Sequence, residues 1–132
     1  MNPVRKALSE ILKEDAQLKA LATSGVFHRK VPSKTARPYV IFHKSSGVPT
    51  WAFDGPSMDK DVWLVKGVAD DRDEAEDIDA RCKALLNGAT LNIEGKDHQD
   101  LRHINDVDYD EILDGERVNH VGAEYKLDSE EE

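Results

Sequence analysis

The segment from Arg117 to Leu127 alternates without a break. Asn119, Val121, Ala123, Tyr125 and Leu127 fall on one register and Val118, His120, Gly122, Glu124 and Lys126 on the other. A period of two is that of a strand with one mainly apolar face turned inward and one polar face turned outward. Asp114-Gly115, just upstream, is a two-residue hairpin signal, so a strand from about His98 to Asp110 is expected beside it. A chain that ends in a hairpin with one apolar face needs other elements to cover that face.

The rest of the sequence supplies them. Residues 3–22 place Val4, Leu8, Ile11, Leu12, Leu18 and Leu21 near one helical stripe, with Pro3 suited to a first turn and Gly25 to the stop. Residues 73–87 form a second amphipathic pattern, with Ala75, Ile78, Cys82 and Leu85 on the stripe, acids at the start where the helix dipole favours them, and Gly88 after it. Val26 to Val31, Pro38 to Lys44, Asp61 to Ala69 and Ala89 to Glu94 read as further strands. Val62 to Val65 is apolar on both faces, which suggests a central position. The order helix, strands, helix, strands predicts an α+β fold: a mostly antiparallel or mixed sheet with two helices packed on one face. Residues 1–127 are expected to form a single domain, and residues 128–132 a disordered acidic tail.

Charge and cysteine content narrow the function. The 132 residues carry 27 Asp and Glu against 18 Lys and Arg, a formal net charge of −9. That balance disfavours gripping nucleic acid from outside, since phosphate binding depends on Lys and Arg. No apolar run approaches a membrane span, the charged N-terminus is no signal peptide, and the lone Cys82 excludes an internal disulfide and fits a reducing cytoplasm. The charge is also unevenly spread. Residues 1–69 hold 11 Lys and Arg against 6 Asp and Glu, or +5, and residues 70–132 hold 7 against 21, or −14. Solvated helix faces and the acidic ending account for this in one reading. In the other, the two ends of a subunit carry opposite potentials and attract a neighbouring copy.

No catalytic pattern emerges. The five histidines make no zinc motif, no cofactor is implied, and Cys82 lies on the apolar stripe of the second helix as a small buried hydrophobe. Asp106, Asp108 and Asp110 have the look of a calcium loop, but Glu111 stands where that loop has glycine and Arg117 where it has glutamate. On a strand the three carboxylates share one face, opposite Val107 and Tyr109. They read as a solvated strand face, as the lining of an acidic channel, or as an acid or metal site. Between Ser45 and Lys60, Trp51, Phe53 and Met58 sit around Asp54-Gly55-Pro56 in a long loop. These apolar groups either fold back as a satellite core or are held for a partner.

Leu18-Lys19-Ala20-Leu21, Gly25-Val26-Phe27, Arg37-Pro38-Tyr39-Val40-Ile41-Phe42, the Asp54-Gly55-Pro56 loop, the strand 61–68 leading into helix 73–87, and the alternating last strand with Arg117 near its start together resemble the tail terminator (tail completion) proteins of long-tailed phages and prophages. The resemblance runs from about Leu8 to Leu127. It implies a non-enzymatic α+β virion subunit, assembled in the bacterial host cytoplasm, that forms a ring of about six copies at the end of the tail tube. In that family the ring ends tube polymerisation and offers the head or neck connector a docking surface, while DNA passes through without specific binding. On this basis Trp51, Phe53, Asp54, Gly55, Pro56 and Met58 are expected at a subunit or partner interface, and Asp106, Asp108 and Asp110 at an acidic lumen. The rival readings are another head-to-tail joining or neck component, or a small acidic metal- or ligand-binding domain using the three aspartates.

Overall fold

The computed structural model describes residues 3–45, 61–91 and 99–129. Helix α1 (Pro3–Glu14) buries Val4, Leu8 and Leu12, one residue per turn along a single stripe. The expected continuation to residue 22 is broken at Asp15. Its side chain accepts the Leu18 amide at 2.8 Å and starts a separate short helix, α2 (Ala16–Leu21). The side-chain cap at Asp15, three residues before Leu18, is a short-range cue for a new helix start. Helix α3 (Arg72–Leu86) is capped by Asp71, whose carboxylate accepts the Asp73 amide at 3.0 Å, and has Asp73 and Glu74 in its first turn.

The strands are β1 (Val26–His28), β2 (Tyr39–Lys44), β3 (Asp61–Ala69), β4 (Thr90–Leu91), β5 (Gln99–Leu113) and β6 (Glu116–Ser129). They form one curled sheet in the order β1-β2-β3-β6-β5-β4, parallel only between β1 and β2. The fold is therefore α+β with a mixed sheet, as the alternation and the order of elements predict, with three helices where two were expected. β1 is shorter than expected and stops at His28; Arg29, the next residue, has φ 65° and leaves the extended region. β5 runs three residues beyond Asp110, because the turn at Asp114 (φ 50°) and Gly115 (φ 83°) is a tight primed turn that keeps the two strands paired to Leu113↔Glu116.

One face of the sheet packs on the helices. Trp63, Val65, Phe42, Val40, Ala123 and Tyr125 meet Leu8, Leu12, Leu18, Ile78, Cys82 and Leu86 in a single core. Burying an aliphatic or aromatic side chain of this size stabilises by roughly 1.5–3 kcal/mol. Helix α3 approaches the sheet at Gly67, where an added Cβ would lie 2.6 Å from Ile78 Cγ2. The alternating register of β6 is buried as expected from Asn119 to Leu127. The opposite register is not wholly outward, since Val118, His120 and Gly122 are buried too. The reason is curvature: Tyr109 stacks on the His120 ring at 4.5 Å, and at Gly122 the neighbouring strand is so near that a Cβ would meet Lys66 Cβ at 2.4 Å.

Candidate functional site

The β5–β6 hairpin is the most prominent feature outside the core. β3 covers β6 only from Asn119 to Leu127, so the last residues of the hairpin project past the rest of the sheet. On its other side β5 pairs with β4 only at Gln99 and Asp100; from Arg102 onward, no described strand lies against that edge. A bulge between His103 and Asn105 shifts the pairing by one residue. Leu101 and His103 face the helices before it; after it the even-numbered residues do, opposite Ala123, Val121 and Asn119.

This shift brings Asp106, Asp108 and Asp110 onto the helix side in one row, as their spacing suggested, and gives each a cation. Lys83 Nζ lies 2.8 Å from Asp106 and 3.0 Å from Asp79. Arg72 bonds Asp108 and also holds Glu76 at 2.8 Å, while Arg117 reaches Asp110 at 2.7 Å. His103 Nε2 adds a contact to Asp106 at 2.9 Å. Lys83 first, and His103 after it, hold the Asp106 carboxyl below its ordinary range. Asp79 behaves oppositely: burial raises its pKa despite Lys83, and its Oδ1 has no partner among the described residues. Among the described residues no three His, Cys, Asp or Glu side chains gather as a metal-binding group. Cys82 is fully buried, and burial pushes its thiol up, so it stays protonated and packs as a hydrophobe.

On the other face, Lys66 Nζ donates to Tyr109 Oη at 2.6 Å and Glu111 contacts His120 Nε2 at 2.7 Å. Burial is the main cause of the lowered His120 pKa, with Lys66 adding to it. The projecting hairpin is held just past its turn by Arg37, whose Nε bonds Asp70 at 2.5 Å and whose Nη2 bonds Glu116 at 2.7 Å. Arg37 thus ties the entry of β2, the exit of β3 and the start of β6 together, a structural role for the Arg37-Pro38-Tyr39 segment.

Trp51, Phe53, Asp54, Gly55, Pro56 and Met58 lie outside the described residues. The structure adds two apolar features that the sequence reading passed over. Ile112 and Leu113 at the hairpin tip are 60% and 45% exposed, with Tyr109 and Ile104 also exposed along β5. A cavity of about 330 Å³ opens at the corner of α1, α2 and β1. The exposed tip could have been suspected from Ile112 and Leu113 standing directly before a turn; the corner cavity depends on how α2 departs from α1 and has no sequence signal.

The comparisons with known proteins converge on this architecture. A family model described as tail completion protein gp17 matches residues 6–121. The fold is similar to that of a chain in the virion of the native gene transfer agent particle, with a TM-score of 0.68, 18% identity, and coverage of 95% of this chain and 94% of that one. It is also similar to the bacteriophage SPP1 gp17 protein, with a TM-score of 0.53, 20% identity, and coverage of 96% of this chain and 88% of that one. No curated protein matches the chain in sequence. With the match extending over most of its length, the chain belongs to the tail completion protein gp17 family and is a structural protein of the phage tail.

Proposed function

We propose that this protein forms a ring of about six copies that caps the tail tube, ends its polymerisation and presents the docking surface for the head or neck connector. The observation that carries this reading is the family match over residues 6–121 on a subunit whose two halves differ in charge by sign, +5 against −14. A cyclic ring joins two different patches on each subunit, and oppositely charged patches suit that arrangement. The acidic half faces the path of the DNA in this proposal, with Asp106, Asp108 and Asp110 among its contributors. Their pairing with Arg72, Lys83 and Arg117 leaves the half strongly negative, because those cations are already counted in the −14. An acidic wall repels phosphates and lets the duplex slide. The loop with Trp51, Phe53, Asp54, Gly55, Pro56 and Met58 contacts a neighbouring subunit or the tube.

The deciding experiment is reconstitution of tube growth with and without the protein. Addition should stop elongation at uniform length and make the tubes competent to join heads, with rings visible at their ends by negative-stain imaging. Tubes that lengthen regardless and carry no ring would refute the reading. Replacing Trp51 and Phe53 with Ser should abolish ring formation or tail joining while circular dichroism still reports a folded chain. Unchanged assembly would remove the loop from the interface.

A further inference from the structure

Two surface features of the described residues have the composition to fit each other. The corner cavity is lined by the buried Leu18 and Ala22, by Val26 and Phe27 of β1, and by Lys13 and Lys19. Neither lysine is in an ion pair among the described residues, and residues 3–31 as a whole hold six Lys and Arg against three Asp and Glu. The hairpin tip presents the opposite: exposed Leu113, with exposed Ile112 on the other face of the strand, within residues 110–117, which hold four Asp and Glu against the single Arg117; Asp110, Glu111 and Glu116 also contact Arg117, His120 and Arg37 of their own subunit. Each patch is apolar at its centre and charged around it, with the signs reversed.

Their placement in the sheet is also suited to contact between copies. Val26 is level with Val40, Val40 with Gly67, and Gly67 with Val121, so β1 begins at the end of the sheet from which the hairpin projects. β1 is one edge of the sheet, and β6 stands three strands away from it, about 14 Å at the usual strand spacing. From Val121 to Glu116 the hairpin runs about 17 Å further along the strand direction, past Asn119, the last β6 residue that β3 covers, while Glu116 stays bonded to Arg37 of its own subunit. Patches at the same end of a subunit but on opposite flanks meet by rotation and favour closure. Patches at opposite ends would stack copies into a filament.

We propose that the β5–β6 hairpin tip of one copy seats Leu113 in the α1–α2–β1 corner cavity of the next, with the tip acids against Lys13 and Lys19. This contact deepens the ring reading above and rests on it. The cavity is at the small end of the range for bound ligands and suits an aliphatic side chain. Two-sided occupancy makes the contact head-to-tail, so every subunit contributes one tip and one cavity.

Single cysteines test it, because Cys82 is fully buried and does not compete. An equimolar mixture of the Leu113→Cys and Lys19→Cys chains should give a disulfide-linked dimer under mild oxidation. A chain carrying both substitutions should give a ladder ending at the ring. The Leu113→Cys chain alone should remain unlinked, and linkage of that chain to itself would mark a two-fold contact and overturn the proposal. Independently, the Lys13→Glu/Lys19→Glu chain should self-associate about tenfold more weakly by sedimentation, equivalent to about 1.4 kcal/mol. Unchanged association overturns the charge part of the contact. Rings seen by native mass spectrometry without the Leu113-to-Lys19 link overturn this contact and leave the ring reading intact. Absence of rings both in solution and on tube ends overturns the two together. A small apolar molecule found in the cavity of assembled rings also overturns it.

Discussion

Asp15 caps α2 and at the same time accepts two hydrogen bonds from Arg81 of α3, at 2.7 and 2.9 Å, so one carboxylate shapes the N-terminal helices and docks them. Asp15→Ala should cost about 1–2 kcal/mol in urea unfolding, the usual loss for an N-cap. Arg81 is the main reason that the Asp15 carboxyl is held at about 2 against an ordinary 3.8. A depressed pKa stabilises the fold above the unfolded value, and that contribution disappears as pH falls toward the folded one. The stability gap between the native chain and Asp15→Asn should therefore be full at neutral pH and close between about 4 and 2. Asp79 has the reverse sign, because burial raises its pKa. Its charged form weakens the fold above the raised value, so Asp79→Asn should raise the melting temperature at neutral pH, with the gain fading as the solution is acidified. A lower melting temperature for that variant at pH 7 would show that the ion pair with Lys83 outweighs the burial. Neither role was visible in the sequence, where both residues are ordinary polar positions in amphipathic helices.

At the scale of elements, α3 packs closely on β3. Gly67 lies opposite Val121 in the sheet and beneath Ile78 and Ala75 of the helix. Gly67→Ala should push α3 outward and cost about 1–3 kcal/mol, the usual range for overpacking, measured as a lower urea midpoint with an unchanged slope. A neutral result would mean that the helix has room to slide. The hairpin was largely legible: the alternation, the Asp114-Gly115 turn and the shared face of the three aspartates all follow from local patterning. Its bulge was not. The inserted residue near Ile104 changes which side of the sheet the later side chains occupy, and that choice depends on pairing with β6 and on Arg72 and Lys83 of α3.

For the whole molecule, the charge division is the property that reaches other subunits. If a basic corner meets an acidic tip, raising ionic strength from about 0.1 M to about 1 M shortens the screening length from about 10 Å to about 3 Å and should weaken self-association several-fold by sedimentation. Association that strengthens with salt would point to a contact dominated by apolar burial. The sequence by itself determined the class of fold, the places of its long strands and helices, the buried register of β6 and the opposite charges of the two halves. Those properties are carried by local period, turn chemistry and composition, which a linear chain displays directly. The tertiary structure alone decided that Asp15 is docked on Arg81 of α3, that the aspartate row is matched by cations, that Arg37 clamps three strand ends, and that an apolar cavity and an apolar tip share one end of the sheet. Each of these joins residues far apart in the chain, and such contacts exist only once sheet order, bulge and helix angle have brought them within a few ångströms.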